Sequence, residues 1–177
     1  MNFINIFIYL LFAILFIIII LFIIGLFLPT TREATRTTEF KASSETIYEL
    51  VTDNENMLNW RKSLKDVKIH EKNGEIETWT EYPKSGPSIT IRTRKKVPYS
   101  RYEMEFVNNS LFEGYWIGTF DPLENGGTKV SFTEHINIPN PVFRSISFLT
   151  FDLGSSIDQT LTEIAGALGE QYSRGSQ

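Results

Sequence analysis

From Phe3 to Leu28 the chain is apolar at nearly every position, "FINIFIYLLFAILFIIIILFIIGLFL", and no charged residue precedes Arg32. At about 1.5 Å per residue this run makes a helix of roughly 39 Å, against a hydrocarbon thickness of about 30 Å. It can span a bilayer with tilt, and a transmembrane anchor is predicted over residues 1–28. A cleaved signal peptide needs a basic start, a shorter apolar run and a small-residue cleavage site. The stretch has none of the three.

Polar positions begin after Pro29, and residues 29–35 read as a short linker. At about 3.5 Å per extended residue, that linker keeps the downstream domain within roughly 25 Å of the bilayer. The folded domain is expected over residues 36–172, with a flexible tail at 173–177. "TRTTEFKA" has the threonine-rich look of a first strand. "SSETIYELVTD" then offers Ser43 or Ser44 as N-cap, with Ile47, Leu50 and Val51 at helical spacing. "NENMLNWRKSL" reads as a second short helix.

From Lys65 to Pro139 the period changes to two. "DVKIHEK", "GEIETWTEY", "SITIRTRKK", "SRYEMEFVNN", "FEGYWIGTF" and "TKVSFTEHINI" are runs of strand length, separated by the turn signals "KNG", "KSGP", "VPY" and "NGG". Consecutive strands on short turns imply an antiparallel meander. The helical period then returns, with Ile146, Leu149, Leu153, Ile157, Leu161, Ile164 and Leu168 spaced by threes and fours. This predicts one long helix from Pro141 to Gly169, with Asn140 as N-cap, Pro141 at the first helical position and a kink at Gly154. Phe143, Phe148 and Phe151 widen the apolar face of its first half.

The fold class is therefore α+β, an antiparallel curved sheet wrapped around a long C-terminal helix and preceded by one transmembrane helix. Such a packing tends to leave a hollow between sheet and helix. With 177 residues the chain holds one domain, and its net charge of −4 argues against a nucleic-acid footprint. Arg32, Arg36 and Lys41 flank the apolar run on one side, which places the soluble domain in the cytoplasm by the positive-inside rule. There is no cysteine and there are two histidines, a poor basis for a zinc site or a nucleophile–histidine pair. No phosphate-cradling glycine loop or dinucleotide fingerprint occurs. No cofactor and no metal are expected.

Alternation assigns faces. In "TKVSFTEHINI", Val130, Phe132, Glu134, Ile136 and Ile138 share one face, and Ser131, Thr133, His135 and Asn137 share the other. Glu134 thus falls on the apolar, inward face, where a carboxylate must be paired or carry a raised pKa. It is the best candidate for a catalytic acid or base. The rival reading is an ion pair with Arg144, Arg92 or Arg94 that fixes the last helix to the sheet. His135 points outward, and His70 sits in the polar "HEKNG" region. The candidate ligand-binding set is Trp60, Trp79, Tyr102, Met104, Phe106, Trp116, Phe120, Phe132, Glu134 and Phe148, with Gly118 leaving space on the inward face. The same aromatic residues could equally be packed core.

The order of elements, together with "NWRKSLKDV", the tryptophan of "ETWTEY", "GYWIGTFDP" leading into "ENGGTKVSFTEH", and "NPVFR" at the mouth of the last helix, resembles the SRPBCC superfamily. Within it the sequence is similar to the START-like, helix-grip proteins of the bacterial polyketide cyclase/dehydrase-like branch. The resemblance covers about residues 36–172 and implies an internal cavity for an apolar ligand closed by the C-terminal helix, with no fixed reaction. The resulting expectation is membrane-anchored binding, or transfer, of a lipid or other hydrophobic small molecule. The alternatives are a cyclase or dehydratase using Glu134, and an interaction domain with a filled interior.

Overall fold

The computed structural model describes residues 2–173; Met1 and, of the expected tail, residues 174–177 lie outside the described residues. Helix α1 (Phe3–Phe27) is long and apolar enough to cross a membrane. Strand β1 (Thr31–Phe40) begins inside the stretch expected as linker. The inward alternation of Arg32, Ala34, Arg36, Thr38 and Phe40 is already running there, and Thr31 pairs with Asn137 of the last strand. Only residues 28–30 separate α1 from the sheet.

Ser43 caps α2 (Ser44–Thr52), its hydroxyl accepting from the Thr46 amide. The second helix expected after it is reduced to one 3-10 turn, Met57–Asn59. Asp53 accounts for the difference, because its carboxylate accepts from both the backbone and the side-chain amide of Asn56. Such local bonds hold the backbone in a turn and compete with helix.

Six strands follow: β2 (Leu64–Asn73), β3 (Ile76–Pro83), β4 (Ile89–Val97), β5 (Arg101–Val107), β6 (Glu113–Pro122) and β7 (Thr128–Asn137). With β1 they form a seven-stranded antiparallel sheet in the order β1-β7-β6-β5-β4-β3-β2. Register shifts between Leu64 and Asp66, Ile69 and Glu71, and Thr93 and Lys95 mark bulges, which bend and twist the strands that carry them.

The C-terminal segment is two helices, α3 (Pro141–Thr150) and α4 (Leu153–Leu168), where one was expected. Asn140 caps α3 and Pro141 occupies its first turn, as the sequence predicts. The break falls at Phe151 and Asp152, ahead of the expected kink at Gly154. Phe151 is extended, with φ −126° and ψ 117°, and the Asp152 carboxylate accepts from the Gly154 amide as a fresh N-cap. The Arg32 guanidinium donates to the carbonyls of Ser147 and Phe151, satisfying acceptors that a terminating helix leaves open. Gly154 has a different purpose: a Cβ there would lie 1.9 Å from Arg36 Nη2, so its absence lets Arg36 reach Asp158 at 3.1 Å.

Helix α4 packs on the inner face of β1 and β7, burying Ile157, Leu161 and Ile164 against Phe120, Val130 and Phe132. The chain thus adopts the START-like helix-grip architecture, with an apolar N-terminal helix attached.

Candidate functional site

The inner face of the sheet divides into two unlike halves. Toward the α4 end, Trp79, Tyr102, Phe120 and Phe132 are fully buried and continuous with Ile47, Val51, Met57 and Trp60. Aromatic edges fit together here, with Trp116 and Phe132 centroids 4.4 Å apart and Phe120 and Phe132 at 6.1 Å. Gly118 does not leave the space expected of it. A Cβ at that position would meet the Trp116 ring at 2.6 Å, so the indole already fills the gap. This half is packed core, and large aromatic side chains in such a place contribute chiefly through buried area.

The other half lies toward the ends of β7 and β5 and the start of β1. Ala34, Phe106 and Phe112 are only half-buried there, around a small cluster of Ile136, Ile138 and Leu153, while Met104, half-buried at the border, packs against the main core and pairs with Trp116. Glu134 sits at the border, paired across the ladders with Ala34 on one side and Trp116 on the other. It is 6% exposed, and among the described residues it has no hydrogen-bond or ion-pair partner. Burial alone pushes its carboxyl up to about 7, as expected for a carboxylate removed from water without a countercharge.

The arginines expected to neutralise it are occupied elsewhere. Arg92 and Arg94 project from the outer face, Arg92 donating to Glu105 at 2.8 Å and Arg94 lying over the Tyr115 ring at 5.0 Å. Arg144 is buried and donates to four backbone carbonyls: Ile138 at 2.9 Å, Pro139 at 2.7 Å, Gly25 at 2.8 Å and Leu28 at 3.2 Å. Two of these acceptors belong to the end of α1, where a cation also complements the helix dipole. Arg144 therefore fastens α1 to the domain, and the ion pair between Glu134 and Arg144 does not form. Ser145 donates to the Leu21 carbonyl at 2.6 Å. Gly25 is the contact point beside it, since a Cβ there would lie 2.0 Å from the Pro141 carbonyl oxygen.

The remaining candidates separate by surroundings. Trp60 packs the 3-10 turn into the core, with Arg61 beside its ring and bridging to Glu163 at 3.0 Å and Glu81 at 3.5 Å. Phe148, on α3, is half-buried under the Arg32 guanidinium, 4.4 Å from its centroid. His135 is on the outer face, stacked on Tyr115 at 4.8 Å. His70 bonds Thr80 at 2.8 Å and borders a depression of about 360 Å³ with Thr78, Thr90 and Arg92. That depression is polar and on the opposite side of the sheet from Glu134.

Sequence reasoning missed a polar group inside the filled half. Asn54 donates to Glu77 at 2.7 Å; Asn54 Oδ1, Thr93 Oγ1 and Tyr102 Oη are buried beside one another without well-formed hydrogen bonds among the described residues, and Trp60 Nε1 is buried there too. Burial pushes the Tyr102 phenol up to about 12, against the opposing pull of Thr93 and Asn54 beside it. The available signal was Thr93 at an inward position two residues from Ile91. No cluster of three metal-ligating side chains occurs among the described residues.

Known proteins share this fold closely. The START superfamily protein from Mycobacterium smegmatis superposes with a TM-score of 0.61 at 17% identity, covering 77% of this chain and 97% of its own. The Zhui aromatase/cyclase from Streptomyces sp. R1128 gives 0.65 at 12% identity over 78% and 94%. A norcoclaurine synthase point mutant from Thalictrum flavum, in complex with a transition-state analogue, gives 0.61 at 11% over 78% and 94%. At such identities the likeness is one of fold. No curated protein matches the sequence. The family described as polyketide cyclase/dehydrase and lipid transport matches residues 31–169, from the first residue of β1 to the glycine that closes α4, and to that family the chain belongs.

Proposed function

We propose that this protein holds a lipid or other hydrophobic small molecule against the half-filled part of its inner face, with α1 as a single-pass anchor and the domain on the cytoplasmic side. The observation that carries the reading is the contrast between the two halves of that face. Ala34, Met104, Phe106 and Phe112 point inward yet stay half-buried, around a single buried carboxyl, while the other half is closed by aromatic packing. Apolar walls with few polar groups are the usual composition of small-molecule sites. The family's description, which includes lipid transport, supports the same class of ligand.

The test is native mass spectrometry of the full chain released from lipid nanodiscs or detergent. A retained apolar molecule at one per chain is expected, and Met104→Trp, which fills the half-open region, should displace it. Retention of nothing across varied lipid mixtures, or undiminished retention by the Met104→Trp protein, refutes the reading.

A second reading rests on Glu134 itself. An unpaired carboxyl pushed up to about 7 is partly protonated at neutral pH, the condition for general acid–base work. Cyclase or dehydratase chemistry on an apolar substrate would use it as the proton donor. The Arg92, Arg94 and Arg144 side chains are committed elsewhere, so no arginine among these three serves as an oxyanion partner. Glu134→Gln separates the readings, because an enzyme loses turnover while a binder keeps its molecule.

A further inference from the structure

Helix α3 is the element of the domain that touches α1. Pro141 lies against Gly25 and Ser145 donates to the Leu21 carbonyl, so α3 runs back along the last turns of α1 in the antiparallel sense. Leu21, Gly25 and Leu28, at spacings of four and three, are the positions of that end that lose exposure. Apart from Asn5 near its start, the remaining surface of α1 is apolar and exposed.

The far side of α3 is apolar too. Phe143 is 42% exposed, Ile146 39%, Leu149 73% and, just past the helix, Phe151 44%. The only ionisable group on α3 is Arg144, and it is buried beneath the helix with its donors on backbone carbonyls. This surface carries no charge until the exposed Asp152, the N-cap of α4, and apolar surface of this kind is a poor match for water.

We propose that the exposed face of α3 is immersed in the lipid bilayer, so that the domain is held by two apolar elements, α1 across the membrane and α3 at its boundary. This rests on the reading of α1 as a membrane anchor. The contacts from Leu21 to Leu28 span about 10 Å of the α1 axis at ~1.5 Å per residue. That places α3 at the depth where amphipathic helices bury their apolar face, about 5–10 Å into the boundary of headgroups and acyl chains. The carbonyls at the end of α1 would find no water at such a depth, and Arg144 supplies their hydrogen bonds. Its charge in turn is enclosed by protein and kept from lipid.

The chain has no cysteine, so single-site labelling of the full chain in phosphatidylcholine vesicles is direct. Cysteines are introduced one at a time at Phe16→Cys in mid-α1, Leu149→Cys on α3 and Ile76→Cys at the β2–β3 hairpin, each on an exposed side chain, and carry an environment-sensitive fluorophore. Blue-shifted emission and protection from aqueous iodide are expected at positions 16 and 149, with full quenching at 76. Protection at 16 with quenching at 149 equal to that at 76 overturns the immersion of α3 while leaving the anchor intact. Quenching at all three overturns the anchor itself, and the immersion with it. Quenching by lipid-borne bromine at 149 in a shallow acyl position supports the assigned depth; no bromine quenching at any depth counts against it.

Discussion

Glu134 gives the sharpest quantitative handle on the interior. Its carboxyl is raised from an ordinary 4.5 to about 7 by burial, with no partner among the described residues to offset the loss of water. Below the unfolded value of 4.5 both states hold the proton, and the residue costs nothing. As pH rises above 4.5 the unfolded chain ionises while the folded one does not, so the folded state binds more protons and stability falls. The fall continues until the folded carboxyl also ionises near 7, and levels off beyond it. The 2.5-unit difference at about 1.4 kcal/mol per unit corresponds to a loss on the order of 3 kcal/mol. For a chain of this length that is roughly 6–12 °C in Tm. Glu134→Gln keeps the shape of the neutral acid and cannot ionise. Thermal unfolding of the full chain in mild detergent at pH 4.5 and 8 should therefore show nearly equal stability for the two proteins at the lower pH, and a clear advantage for the glutamine protein at the higher. Parallel curves for wild type and Glu134→Gln across that range would mean that the carboxyl finds water or a cation in the folded state, and the account of an unpaired buried acid would be wrong.

Two other substitutions probe the joints around this region. Arg144→Ala leaves carbonyls of Ile138, Pro139, Gly25 and Leu28 without their donor; at about 1–3 kcal/mol for an unsatisfied buried group, a loss of at least about 2 kcal/mol is expected in detergent melts. Arg144→Lys should recover less than half of it, since an ammonium cannot span acceptors that a planar fork reaches together. Gly154→Ala should destabilise by displacing Arg36 from Asp158, a Cβ there being 1.9 Å from Arg36 Nη2. In an Arg36→Ala background the same change should become neutral or favourable by up to ~1 kcal/mol, the helix-propensity difference between the two residues, which a double-mutant cycle of melts reads directly.

Much of the architecture was legible because it follows from periodicity. The alternation through β7 placed Glu134 inward and His135 outward, and both positions hold. Asn140 and Pro141 announced the start of α3 by capping chemistry that is local in sequence. What periodicity could not supply was competition between local and distant bonds. The apolar spacing runs unbroken through Phe151 and Asp152, yet the aspartate is a better cap than helix interior, and Arg32, more than a hundred residues earlier, takes the carbonyls exposed by the break. Gly118 shows the same limit on the inner face. An absent side chain reads as space, but only the rotamer of Trp116, two positions away, decides whether that space is empty.

Glu134 and Arg144 illustrate why opposite charges near each other in sequence do not make a pair. An arginine offers five N–H donors in a fixed fork, and in this protein that fork meets four carbonyls that the end of α1, the end of β7 and the entry to α3 would otherwise leave open. Turning it toward Glu134 would gain one ion pair and strand several acceptors in apolar surroundings, at about 1–3 kcal/mol for each. The carbonyl cluster wins, and the carboxyl is left to respond to burial alone. The Arg144 fork thus goes to the attachment of α1, and the Glu134 carboxyl, back along β7, answers to burial alone.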